Sequence, residues 1–199
     1  MKIYAFSDTH LDAKAVQIIK KRSKQADILI CAGDISWFGN GLKEILTDLN
    51  RIKKDLYIIP GNHEDPPTQL KKVCEPLKYV HFVHKQTKRI GKYRFFFYGG
   101  GGFSTINKPF EKLMKIFKKT LTKDDEVILV THAPPYKTKL DYLEWAGHIG
   151  CKSEKKFIKE IKPILHISGH IHENIGVQEV LYKKTLAINP GPAGEMIEL

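Results

Sequence analysis

A chain of 199 residues, 42% of them hydrophobic, is long enough to bury a substantial core as one domain over residues 1–199, and it contains no apolar run near the roughly eighteen residues of a membrane span. Thirty-three Lys and Arg against 22 Asp and Glu give a formal charge of +11, which suits anionic partners, but the basic residues are spread through pairs such as Lys53-Lys54 and Lys118-Lys119, as on solvated helix faces, and form no single nucleic-acid stripe. Cys31, Cys74 and Cys151 are odd in number and in no Cys-x-x-Cys pair, which argues against a disulfide framework and a thiolate zinc site and fits a reducing, cytoplasmic compartment.

The chain opens on Met1-Lys2-Ile3-Tyr4-Ala5-Phe6, which lacks the pattern of a signal peptide and reads as the first of several short strands at 2–7, 27–32 and 56–59. Helical patterns at about 12–25, 41–54 and 67–75 separate them, and this β-α-β-α-β order implies a parallel sheet. From Tyr79 to Tyr98 the pattern reads as strand, turn at Gly91-Lys92, strand. A helix over 108–119 precedes a strand at 126–131, and another starting near Ser153 precedes one at 164–168. The tail, Ile175 to Leu181, Lys183 to Asn189 and Met196 to Leu199, reads as a β-meander. Between them, Pro134 to Lys152 has no clear period, and a loop of that length is a candidate for facing substrate.

Ligand-type residues follow the strands. They stand in Asp8-Thr9-His10, Gly33-Asp34, Gly61-Asn62-His63-Glu64, Thr131-His132 and Gly169-His170-Ile171-His172. Residues two apart on an extended chain point the same way, so Asp8 with His10, and His170 with His172, are expected to face one point. The glycines before Asp34, Asn62 and His170 are expected to let the backbone turn sharply and approach closely. Each piece is common by chance; together, in this order, they predict a metal centre with carboxylate, amide and imidazole ligands, at the edge where an open α/β sheet places its crevice.

This ordered set resembles the signature of the calcineurin-like metallophosphoesterases over almost the whole chain. The resemblance implies a four-layered α/β sandwich of two mixed sheets flanked by helices. It implies one ion held by Asp8, His10 and His172, a second held by Asn62, His132 and His170, and Asp34 bridging both. His63 would be a catalytic histidine near the substrate, which Asn62 also contacts. The implied reaction is hydrolysis of a phosphodiester or phosphomonoester by a metal-bridging hydroxide, with Mn²⁺ favoured and Fe, Ni²⁺ or Zn²⁺ compatible with the nitrogen and oxygen ligands. The charges agree: two divalent ions, two ligand carboxylates and a hydroxide leave the site net positive for phosphate.

One position departs from the commoner pattern, which has Asp after the motif histidine; Glu64 here is expected to orient the imidazole of His63 from behind it. His81, His84 and His166 read as structural, whereas His148 in Gly147-His148-Ile149-Gly150 is a candidate for reaching substrate or supporting a ligand. The run Gly99 to Gly102 has no following Gly-Lys-Ser/Thr, which excludes a Walker nucleotide loop, and it is expected to pass close to the site. Asn189-Pro190-Gly191-Pro192 is expected to be a structural turn. Two rivals stand beside the small-ester hydrolase: a nuclease, which the basic charge favours, and a non-catalytic scaffold of the same fold, which the intact ligand set disfavours. The sequence specifies neither the substrate nor an oligomeric state.

Overall fold

The computed structural model describes residues 1–102 and 104–199. Two sheets pack face to face. The first contains β1 (Lys2–Phe6), β2 (Ile28–Cys31), β3 (Leu56–Ile58), β4 (Val80–Phe82) and, at its far edge, β13 (Glu195–Glu198), in the order β13-β1-β2-β3-β4. The second contains β5 (Gln86–Ile90), β6 (Tyr93–Tyr98), β7 (Glu126–Thr131), β10 (Leu165–Ile167), β11 (Gln178–Leu181) and β12 (Thr185–Ile188), in the order β11-β12-β10-β7-β6-β5. In the first sheet β1 to β4 are parallel and β13 is antiparallel to β1; in the second β6, β7, β10 and β12 are parallel and the two outer strands antiparallel. Both sheets are therefore mixed.

The apolar runs show little alternation because the strands are buried on both faces. Ile3, Ala5, Ile30, Phe95, Phe97, Val130 and Ile167 meet in the core between the sheets. The alternate residues Tyr4, Phe6, Leu29, Cys31 and Ile58 turn outward beneath α1 (Ala13–Arg22), α2 (Leu42–Asn50) and α3 (Thr68–Cys74). On the other sheet Phe96, Val127 and Leu129 pack under Phe110, Met114 and Phe117 of α4 (Lys108–Lys119) and Phe157 of α5 (Lys152–Ile161). The result is the expected four-layered α/β sandwich. Cys31 is fully buried, as its apolar strand predicts. No helix among the described residues is long and apolar enough to cross a membrane.

Three details differ from the sequence pattern. The Tyr79–Tyr98 region is not one hairpin: Val80–Phe82 pairs in parallel with β3, and only then does the chain cross to the second sheet, where β5 and β6 form the hairpin around Gly91-Lys92. Gln86–Ile90 is an exposed edge strand with no buried residue, so it carries no apolar signal. The tail is not a three-stranded meander either, because β11 and β12 pair in the second sheet while β13 returns to β1 in the first. In the long loop, Tyr142–Leu143 (β8) and Gly147–His148 (β9) pair as a two-stranded ribbon, organised around the buried carboxylate of Asp141. That carboxylate accepts the backbone N–H groups of Lys137, Thr138 and Gly150.

Candidate metal centre

The ligand-type residues lie past the carboxyl ends of β1, β2 and β3 in one sheet and of β7 and β10 in the other, and the loops that carry them are tied together by backbone hydrogen bonds. Asp8 N–H donates to the Gly33 carbonyl, His10 N–H to that of Asp34, and Gly169 N–H to that of His132. The Asn189-Pro190-Gly191-Pro192 turn braces both flanks: Ser7 N–H donates to the Gly191 carbonyl at 3.0 Å, and Asn189 Nδ2 donates to the Ile171 carbonyl at 3.0 Å. Its predicted role is structural, and its contacts are with the backbone beside Asp8, His170 and His172.

The carriers are not extended. Asp8, His10, Asp34 and His170 all have left-handed backbones, with φ of 54°, 43°, 53° and 72°. Side chains two apart therefore converge through turns and not through strand alternation, which corrects the geometric expectation while keeping its outcome. Left-handed non-glycine residues are costly and concentrate where a site over-determines them. Gly61 and Gly169 have a different reason to be glycine: a Cβ at Gly61 would collide with Asp34 Oδ1, and one at Gly169 with Asp8 Oδ2. They admit the carboxylates. Gly102, last of the glycine run, lies against the His170 ring, where an added Cβ would come 2.5 Å from Cε1.

The donor atoms of Asp8, His10 and His172 lie within 4.8 Å of one another, as do those of Asp34, His132 and His170, and those of His10, Asp34 and His63. One atom links these groups. Asp34 Oδ2 stands 3.9 Å from His10 Nε2, 3.4 Å from His132 Nε2 and 3.9 Å from His63 Nε2. The other oxygen, Oδ1, is occupied by the backbone N–H of His63 at 2.9 Å. Asp8 accepts the backbone N–H of His170 at 3.1 Å and faces His172 Nε2 at 3.7 Å. Asn62 Oδ1 lies 2.9 Å from His132 Nε2 and 3.0 Å from His170 Nδ1.

These residues fit divalent cations on a test of lone pairs. His132 Nδ1 faces the Ala32 carbonyl at 2.9 Å, so that nitrogen carries the hydrogen, and a neutral ring then turns the lone pair of Nε2 toward the oxygens of Asn62 and Asp34. Acceptors facing acceptors repel unless a positive charge stands between them. His10 repeats the arrangement, with Nδ1 on the Ser36 carbonyl at 3.1 Å and a buried Nε2 that has no hydrogen-bond partner. In the bare protein a proton supplies the charge: burial pulls the His132 pKa down, but the hydrogen bond and charge of Asp34 outweigh it and raise it to about 9. Asp34 responds in kind, its burial offset by His132 so that its pKa falls to about 2. His170, pushed down to about 4 by burial and by repulsion from His132, stays a neutral donor of electron pairs. A divalent cation would supply that charge instead, held by the same oxygens and nitrogens of Asp34, Asn62 and His132.

An open cavity of about 560 Å³ gives access, lined by Asp34, Asn62, His63, His170, His172 and Glu173. Two expectations are corrected here. Glu64 does not contact the His63 ring, whose Nδ1 has no hydrogen-bond partner. Its buried carboxylate instead accepts the backbone N–H groups of Asp34, Gly61 and Ser36 at 2.9, 2.9 and 3.0 Å and the Ser36 hydroxyl at 2.6 Å. It clamps the loop of Asp34 to the loop of Asn62. His148 does not line this cavity; its Nδ1 is 2.8 Å from Asp141 Oδ1, and it borders a separate depression with Lys137, Tyr142 and Asn174. The other histidines are structural in placement: His81 pairs with Asp55, His84 Nδ1 accepts the Gly99 N–H, and buried His166 contacts the Thr131 hydroxyl. Two residues absent from the ligand pattern also adjoin the centre. Trp37 stacks on His10 with ring centroids 4.0 Å apart, and Phe38 lies 4.2 Å from His63.

Known proteins share this arrangement of fold and sequence. The chain is 28% identical over 207 residues to the uncharacterized protein MJ1162 of Methanocaldococcus jannaschii, covering 96% of this chain and 88% of that one. Its fold is similar to that of TT1561 of Thermus thermophilus, with a TM-score of 0.74, 17% identity and coverage of 96% and 90%. It is also similar to the purple acid phosphatase PPD1 of yellow lupin, with a TM-score of 0.67, 13% identity and coverage of 98% of this chain and 44% of that one. Residues 1–174 match the family described as Calcineurin-like phosphoesterase, and with its convergent Asp/His clusters the chain belongs to that family of metal-dependent phosphoester hydrolases.

Proposed function

We propose that this chain is a dinuclear phosphoesterase acting on a small phosphodiester or phosphomonoester, with residues 1–199 working as one domain in the cytoplasm. Asp8, His10 and His172 would hold one divalent ion and Asn62, His132 and His170 a second, with Asp34 shared. The observation that carries this reading is the position of Asp34 Oδ2, which faces His10 of one ligand set and His132 of the other. Divalent ions bound there, with manganese the first choice for assay, supply Lewis-acid stabilisation of a phosphoryl group and a water acidic enough to attack at neutral pH.

The chain's own groups do the rest. The Ser36 and Ala32 carbonyls fix the rings of His10 and His132, and Glu64 fixes the Asp34 loop. Asn62 and His170 wall the cavity in which the phosphate sits. His63 stands at the rim of both ligand sets, with Nε2 turned toward Asp34 Oδ2. It would give a proton to the departing ester oxygen.

A screen of cyclic nucleotides, nucleotide monoesters, activated diesters and nucleic acids across Mn²⁺, Fe²⁺, Ni²⁺ and Zn²⁺ tests the reading, with hydrolysis of at least one small ester expected. Loss of all hydrolysis would favour a scaffold, and cleavage of DNA or RNA with a steep salt dependence would favour a nuclease. The role of His63 has its own test. His63→Ala is expected to slow esters of poor leaving groups by about 10²-fold or more and nitrophenyl esters far less. Equal losses on both classes would count against protonation of the leaving oxygen.

A further inference from the structure

Beside His63, which it shares with the cavity at the ligand sets, lies a slot of about 170 Å³ lined by Phe38, Leu42, Asp65, Pro66, Thr68 and Gln69. An apolar cavity of about 150 Å³ is enough to take a benzene ring. The slot has a similar volume, with a polar as well as an apolar lining, so it has room for one planar ring system and is smaller than the roughly 300 Å³ of a full ligand pocket.

Phe38 is presented there at a cost. It is 74% exposed, its neighbour Trp37 is 47% exposed, and its backbone is left-handed with φ of 50°, a region that bulky residues avoid. The turn that holds it is heavily braced. Asn40 returns both its N–H and its Nδ2 to the Trp37 carbonyl, Gly39 N–H donates to Ser36 Oγ, and Gln69 Nε2 donates to the Gly39 carbonyl. A strained, braced turn that shows an aromatic face to water beside a reactive histidine is what a stacking platform requires.

We propose that the alcohol released by this enzyme carries a planar aromatic ring, an aryl group or a nucleobase, which stacks on Phe38 in this slot. The inference rests on the phosphoesterase reading, because it takes the phosphate to sit at the paired ligand sets. Two features orient the ester. His63 stands between those sets and the slot, so the group on the oxygen nearest His63 extends past it toward Phe38. Asp65 and Glu64, which also line the slot, repel a second anion, so the slot receives the uncharged part of the substrate.

Benzyl and butyl esters of phosphate, with a nucleoside 5′-ester alongside, all leave as primary alkoxides of similar basicity, so their comparison isolates the ring. With the manganese-loaded protein, in whichever mono- or diester form it accepts, the kcat/KM preference for benzyl over butyl is expected to fall about tenfold in Phe38→Ala, mainly through KM, and to persist in Phe38→Tyr. A preference unchanged in Phe38→Ala would overturn the proposal. A second readout needs no turnover: Trp145→Phe leaves Trp37 as the one tryptophan of the two in the chain. Adenosine or benzyl alcohol is expected to quench its fluorescence saturably, about tenfold more weakly when Phe38→Ala is added, and butanol is expected not to. The tighter of the two ligands separates nucleobase from simple aryl. If no ester were hydrolysed, the phosphoesterase reading would fall while this titration still decided the slot, and absence of saturable quenching would refute it.

Discussion

The two ligand sets are built differently. Asp8, His10 and His172 form the open one: the His172 side chain is 50% exposed, and its pKa is raised chiefly by Asp8. Asp34, His132 and His170 form the closed one, in which His132 is fully buried and held from behind by the Ala32 carbonyl. Both sets straddle the two sheets, since Asp8, His10 and Asp34 come from the first and His132, His170 and His172 from the second. Neither of these two sets lies within one sheet. On the proposed assignment, metal binding would fasten the sheets together at their carboxyl ends, and the buried set should be the tighter fastening.

Substitutions at matched positions test that contrast. His132→Ala is expected to have the largest effect, because it removes a ligand and leaves the Ala32 carbonyl and Asn62 without their buried partner. About 3 kcal/mol of stability should go with the second ion. His172→Ala, at the half-exposed position, should weaken only the open site, with little change in urea midpoint when metal is chelated. Equal destabilisation by the two variants would erase the distinction.

Glu64→Gln acts on the frame beneath both sets. The amide keeps one acceptor for what are now four donors from Asp34, Ser36 and Gly61, and hydrogen bonds to a charged acceptor are worth about 1.5–3 kcal/mol each. A loss of about 2 kcal/mol, or roughly 6 °C in Tm for a chain of this size, is expected, with weaker binding of both ions. Unchanged metal affinity would show that the clamp does not position Asp34.

Acid should act on the second sheet, which carries His132 and His170 of the closed set. His166 lies in β10 against Thr131, the residue before His132, and burial depresses its pKa to about 3. His84, also lowered by burial, titrates at about 4. Below the ordinary histidine value of about 6.5 the unfolded chain binds protons that the folded chain refuses, so stability falls as pH drops from about 6.5 toward 3. The urea midpoint, followed from pH 7 to 4, should decline less steeply in His166→Gln than in the wild type. Parallel curves would mean that His166 is not held neutral by the fold.

The candidate ligands were legible in the sequence because they follow the ends of five strands by one to five residues, a local pattern that survives without knowledge of tertiary structure. The means of their convergence was not. Left-handed Asp8, His10 and Asp34 look in sequence like the end of an extended run, and only the paired loops reveal the turns. Glu64 was singled out for its neighbour in sequence, His63, whereas its partners are backbone amides some 30 residues away in Asp34 and Ser36. Edge strand Gln86–Ile90 and the return of Glu195–Glu198 to β1 carry no apolar or turn signal that distinguishes one sheet from the other. Trp37 and Phe38 follow Asp34 closely, yet hydrophobic residues in a loop read as packing until their exposure is known.

The shared carboxylate of Asp34 is the centre of this account, and metal content measures it directly. After manganese loading and gel filtration, elemental analysis of the wild type should return about two ions per chain, and Asp34→Ala should return close to none while remaining folded by circular dichroism. Retention of both ions by Asp34→Ala would contradict the shared site.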